Sequence, residues 1–177
     1  DDNNCHLLAN PVWLEMNGDA KPDAVGFEDK RLYLYPTRSI RRKNMGELLL
    51  WAAAAGKDEA FGSTMAPANP TALPIYKAWV STAKRLKLPV HFGLGEQHAF
   101  DALLNSAYAL VTTSIAEGFG LAYLEPYLIG AQLVGRDLPE ITSDFTETGI
   151  HLEGLYSRLD VPIAWVGKDR IKETVHE

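Results

Sequence analysis

Six short runs of apolar and β-branched residues punctuate the chain: Arg31 to Tyr35, Ala60 to Met65, Leu88 to Phe92, Tyr108 to Thr113, Ala131 to Val134 and Val161 to Val166. Each has the length and composition of a buried strand. Most are separated by segments of helical spacing: Ile75, Trp79, Ala83 and Leu86 follow Pro74, and Phe100, Leu103, Leu104 and Ala107 follow Glu96. Asn44, with Glu47 three residues on, has capping-box spacing for the first helix, and Gly56 predicts a left-handed stop. Such alternation predicts an α/β fold, a mainly parallel sheet with helices on both faces, whose ligands bind at the carboxyl ends of the strands. The stretches Asp1 to Lys30 and Arg136 to Asp160 lose both periodicities and are expected to be loop-rich. No internal repeat or linker interrupts the 177 residues, which are read as one domain.

Charge and cysteine usage narrow the function classes. A formal net charge of -6 gives a surface that repels phosphodiester backbones, so general nucleic-acid binding is not expected. The single cysteine, Cys5, offers no disulfide framework, which fits a reducing, cytoplasmic setting. No apolar run has the length of a transmembrane segment. The chain starts at Asp1 without an initiator Met, which suggests a processed product or a piece of something longer.

Two constellations stand after strand ends. Arg38, Arg41, Arg42 and Lys43 fall within six residues behind the first run. Guanidinium and ammonium groups there can hold a phosphate by charge-assisted hydrogen bonds of about 1.5–3 kcal/mol each. Arg38 and Lys43 are the chosen candidates; a solvated basic loop, paired with some of the 23 acidic residues, is the alternative. Behind the fourth run comes Ser114-Ile115-Ala116-Glu117-Gly118-Phe119-Gly120-Leu121, followed by Glu125 and Pro126. Gly118 and Gly120 permit a tight strand-to-helix turn, and Leu121, Leu124 and Leu128 give the helix its buried stripe. The free amides of the first helical turn form an anion site. Glu117 and Glu125 can flank a ligand on that turn and accept hydrogen bonds from hydroxyls, although a glutamate at a helix start is also ordinary dipole compensation.

At these residues the sequence resembles the C-terminal, donor-binding domain of retaining GT-B glycosyltransferases, the glycogen-synthase-like and mannosyltransferase-like group. Glu117 and Glu125, seven residues between them, enclose Gly118-Phe119-Gly120-Leu121 as that family's two glutamates do. Arg38 and, five residues later, Lys43 match its Arg and Lys, and Asn10-Pro11-Val12 is similar to its entry from the interdomain linker. Thr37, where the family has Gly, and Pro126, where it more often has Ala, depart from the pattern. The resemblance implies a single Rossmann-like domain, the C-terminal half of the GT-B fold, that binds a UDP-, GDP- or ADP-sugar. It implies that Arg38 and Lys43 grip the diphosphate and that amides near Gly120 and Leu121, beside Gly118 and Phe119, bind the distal phosphate. Glu117 would bond the transferred sugar, Glu125 the ribose hydroxyls, and Leu94 to Glu96 would lie by the base. No cofactor is implied, and the acceptor domain would lie outside this chain.

No Asp-x-Asp pair occurs, and His6, His91, His98, His151 and His176 show no ligand spacing, so the hexosyl transfer that the resemblance implies is expected to be metal-independent. The isolated half is expected to turn over little, because the transition state forms between two domains. A non-catalytic nucleotide-sugar module and a nucleotide-sugar epimerase remain as alternatives. A dehydrogenase lacks its Gly-x-Gly-x-x-Gly after the first strand. Arg136, Asp137 and Glu140, behind the fifth run, line either the same cleft or a surface loop.

Overall fold

The computed structural model describes residues 25–175. Cys5, His6, Asn10-Pro11-Val12 and His176 therefore lie outside the described residues. In chain order the elements are β1 (Arg31–Arg38), α1 (Met45–Ala53), β2 (Glu59–Met65), α2 (Leu73–Leu86), β3 (Val90–His91), α3 (Phe100–Ser106), β4 (Ala107–Thr112), α4 (Leu121–Leu128), β5 (Leu133–Arg136), α5 (Pro139–Glu147), β6 (Leu155–Tyr156), α6 (Ile163–Val166) and α7 (Lys168–Val175). The six strands pair in the order β3-β2-β1-β4-β5-β6, all parallel. From the central β1–β4 pair the chain winds outward in both directions, which makes that pair the topological switch point.

The central strands are apolar on both faces because helices cover both. Leu32 and Leu34, fully buried, pack with Leu103, Leu104 and Leu94 on one side. Tyr35 and Val111 pack with Met45, Leu48 and Ala52 of α1 on the other, where Trp79 of α2 joins them. Burying each such leucine contributes about 1.5–3 kcal/mol.

Several expectations need correction. Val161 to Val166 is not a strand: the sixth strand is Leu155–Tyr156, in register with Gly135 and Arg136, and Ile163–Val166 is one helical turn. Pro162 fixes φ at -57° and starts that turn, closed by the Gly167 amide on the Ile163 carbonyl at 2.9 Å. The expected strand Leu88 to Phe92 is confined to Val90–His91; Pro89 has no amide to donate and serves only as acceptor from the Phe61 amide at 2.8 Å. The fifth strand begins two residues later than Ala131, because Gly130 and Ala131 form the turn that follows α4, with the Ala131 amide donating to the Pro126 carbonyl at 2.9 Å. Arg136 to Asp160, expected to be irregular, holds α5 and β6.

The cap of α1 also differs. Asn44 sits in the left-handed region at φ 50° with no side-chain bond to the helix amides; its side chain donates instead to Glu47 Oε2 at 2.8 Å. The helix ends at Ala53, and Gly56, which does not adopt positive φ, donates its amide to Glu59 Oε2 at 2.8 Å.

Candidate functional site

The switch point brings the two sequence constellations together. Behind β1 the chain makes a single 3-10 turn, Arg41–Lys43, then the left-handed Asn44. Its start is held to β2, where the Ser39 amide donates to Met65 at 3.0 Å and Thr64 Oγ1 to the Thr37 carbonyl at 3.1 Å. Behind β4, Thr113 Oγ1 donates to the carbonyls of Lys43 (2.9 Å) and Asn44 (3.2 Å), and the Ile115 amide donates to the Arg42 carbonyl at 2.9 Å. Arg42 Nη1 closes the seam by donating to the Ala116 carbonyl at 3.2 Å. Adjacent parallel strands end side by side, so their loops are stitched along one rim of the sheet.

The seam fixes a charged centre. The Lys43 ammonium forms a direct ion pair with Glu117 Oε1, with the two side chains only 11% and 8% exposed. Arg42 Nη1 reaches Glu117 Oε2 at 2.8 Å. Ser114 Oγ donates to Glu117 Oε1 at 2.5 Å and lies 2.6 Å from the buried Tyr35 hydroxyl. Burial alone would raise the Glu117 pKa, but hydrogen bonds from Lys43 and Ser114, with the charges of Lys43 and Arg42, hold it below the ordinary carboxylate value. Ser114 and Tyr35 went unassigned in the sequence; the signal for Ser114 was its place three residues before Glu117.

Glu125 behaves oppositely. It lines a small cavity together with Lys43, Tyr35 and Thr37 and forms no hydrogen bond or ion pair among the described residues. Burial raises its pKa, and the charge of Lys43 offsets this only in part. Lys43 thus stands between both carboxylates, bonded to one and facing the cavity of the other. Arg38 is exposed, and its guanidinium forms no ion pair or hydrogen bond among the described residues. It lines a cleft of 570 Å³ with Lys43, Thr37, Thr64 and Gly95, a volume within the range of small-ligand sites. Gly95 brings the short Leu94–Glu96 turn to this cleft.

The two glycines divide their expected roles. Gly120 adopts φ 71° as the N-cap of α4, and a Cβ there would collide with Ile141 Cγ2. Gly118 has neither positive φ nor any neighbour within 4 Å of a Cβ, so the turn does not require it; its exposed backbone leaves the rim bare. Phe119 is 72% exposed, and Leu121 opens α4. α4 runs on two residues past Pro126, whose missing amide leaves one helical bond unmade. Arg136 and Asp137 are engaged elsewhere, Arg136 with Glu47 and Asp137 accepting from Thr142 Oγ1 at 2.5 Å, while Glu140 is exposed.

No family model matches the chain. A mannosylglucosyl-3-phosphoglycerate synthase of Petrotoga mobilis is 29% identical over 147 residues, covering 81% of this chain and 28% of that protein. The chain thus spans little more than a quarter of that relative. Among solved structures, the catalytic domain of the Helicobacter pylori cholesterol-α-glucosyltransferase superposes with a TM-score of 0.55 at 17% identity, covering 71% of this chain and 76% of that one. The C-terminal domain of a group 1 glycosyl transferase, LpcC, from Francisella tularensis gives 0.55 at 15%, covering 84% and 76%. Anabaena HepE, in complex with UDP and glucose, gives 0.53 at 21%, covering 63% and 31%. The fold is that of the Rossmann-like C-terminal half of a GT-B glycosyltransferase.

Proposed function

We propose that this chain is the donor-binding half of a retaining, metal-independent glycosyltransferase that transfers a hexose such as mannose or glucose from a nucleoside-diphosphate sugar. The observation that carries this reading is the placement of Lys43 at the switch point, paired with Glu117 and facing the cavity of Glu125, with Arg38 along the same cleft. Cleaving the anomeric bond leaves negative charge on the departing diphosphate while the sugar becomes oxocarbenium-like. Fixed cations at the phosphates stabilise that charge as it develops. Arg38 and Lys43 take this role, aided by the backbone amides at Gly120 and Leu121, where α4 begins.

An ammonium has three donor hydrogens, so the bond from Lys43 to Glu117 leaves two for phosphate oxygens. The same bond orients the Glu117 carboxylate, kept ionised, to accept from hydroxyls of the transferred sugar. Glu125, without a hydrogen-bond or ion-pair partner among the described residues, accepts from the ribose, and the cleft beside Gly95 receives the base. The hexose assignment draws on the Petrotoga relative's name and on the UDP and glucose held by HepE. The acceptor site and full turnover belong to a part of the enzyme beyond this chain, which spans 28% of that relative.

Calorimetric titration with UDP, GDP, ADP and their hexose conjugates tests the proposal. One nucleoside diphosphate family binds, and its free nucleoside binds far more weakly because the phosphates are the gripped groups. Absence of binding across the panel contradicts the reading.

A further inference from the structure

The most heavily bonded carboxylate in the described residues is Glu47, not one of the two read as ligand-binding. Its side chain is 6% exposed. Arg136 Nε lies 3.1 Å from both of its oxygens and Nη2 2.5 Å from Oε2. The Tyr156 hydroxyl donates to Oε1 at 2.5 Å, while Trp51 Nε1 donates to that hydroxyl at 2.9 Å. Asn44 Nδ2 completes the set at 2.8 Å. A buried ion pair is a poor source of stability compared with apolar packing of the same volume, and its better use is to fix a geometry.

The geometry fixed here is that of Asn44. This residue holds a left-handed backbone, a region asparagine enters more readily than other non-glycine residues, and its carbonyl and that of Lys43 both accept from Thr113 Oγ1. One residue upstream, the Lys43 side chain meets Glu117. We propose that Arg136, acting through Glu47 and Asn44, is a positioning residue that aims the Lys43 ammonium at Glu117. The strand end β5–β6 is thereby coupled to the β1–α1 loop. This inference rests on the proposed function for its consequence in catalysis, but the contact it predicts exists without ligand.

Two readouts on the full chain test it, using Arg136→Met, Arg136→Lys and the milder Tyr156→Phe. The first is the titration of the Glu117 carboxyl followed by carbon NMR, with no ligand added. In Arg136→Met the midpoint moves up from its lowered wild-type position as Lys43 loosens, and Arg136→Lys restores part of the shift. Should Arg136→Met fail to fold, Tyr156→Phe carries the same expectation with a smaller shift. The second readout is UDP affinity. It falls about tenfold in Arg136→Met but not further when Arg136→Met is added to Lys43→Ala, because the effect runs through Lys43. An unshifted Glu117 midpoint in a folded Arg136→Met or Tyr156→Phe protein overturns the inference, as does an affinity loss that adds in full to that of Lys43→Ala. If wild-type protein ignores UDP, GDP and ADP alike, the proposed function fails, and the Glu117 titration alone decides the positioning role.

Discussion

Lys43 and Glu117 satisfy each other's charge with little water nearby, so removing either exposes the other. Lys43→Ala is expected to weaken nucleoside-diphosphate binding about 10- to 100-fold, the loss of one charge-assisted contact, measurable by calorimetry. The two glutamates should report opposite signs with pH. Glu117 has its folded pKa below the ordinary 4.5, so its stabilising effect is present above that value and disappears as the pH falls through the folded pKa. Glu125 has a raised pKa, so its effect is reversed: stability is lost as the pH rises above 4.5 through the folded value. Denaturant melts over pH 3 to 7 on the order of one-unit steps should therefore show Glu117→Gln destabilised mainly at the upper end, and Glu125→Gln stabilised there. At the turn, Gly120→Ala meets Ile141 and requires a left-handed alanine, for a cost of about 1–3 kcal/mol, whereas Gly118→Ala stays within about 0.5 kcal/mol. Equal melting shifts for the two would contradict their assignments.

At the scale of elements, what the sequence made legible was whatever a local period encodes. α2 and α3 followed from apolar spacing, and β1, β2 and β4 from runs buried on both faces. The errors came where tertiary contacts decide. Val161 to Val166 has strand composition, but Pro162 interrupts it and no strand edge receives it, whereas Leu155–Tyr156 finds β5. Trp165 is 80% exposed in this turn. Trp165→Ala is therefore expected to change the unfolding free energy of the chain by less than about 0.5 kcal/mol; a loss of several would place that tryptophan in a sheet core. The capping box at Asn44 and Glu47 failed for a related reason, since Glu47 is taken by Arg136, 89 residues away. No local pattern announces such a partner.

For the whole molecule, the strand order is what turns two separated motifs into one site. β1 and β4 are neighbours, so loops roughly seventy residues apart in sequence, as in the Lys43–Glu117 separation of 74, share one rim. The motifs themselves were readable, because glycine, arginine and glutamate at fixed spacings are local facts. That Glu117 is bonded to Lys43 while Glu125 has no hydrogen-bond or ion-pair partner among the described residues was not, because burial and pairing follow from the packing of α4 against the seam. The overall charge of -6 coexists with this cationic rim, so the affinity for a diphosphate is expected to fall as salt rises while nonspecific polyanion binding stays weak.

The most direct measurement is an amide NMR titration of the chain with the nucleoside diphosphate that binds. Shifts concentrated at Arg38 to Lys43, Gly95 and Glu117 to Glu125 are the predicted result. Saturable binding whose shifts fall on another face, with these two loops unmoved, would contradict the account.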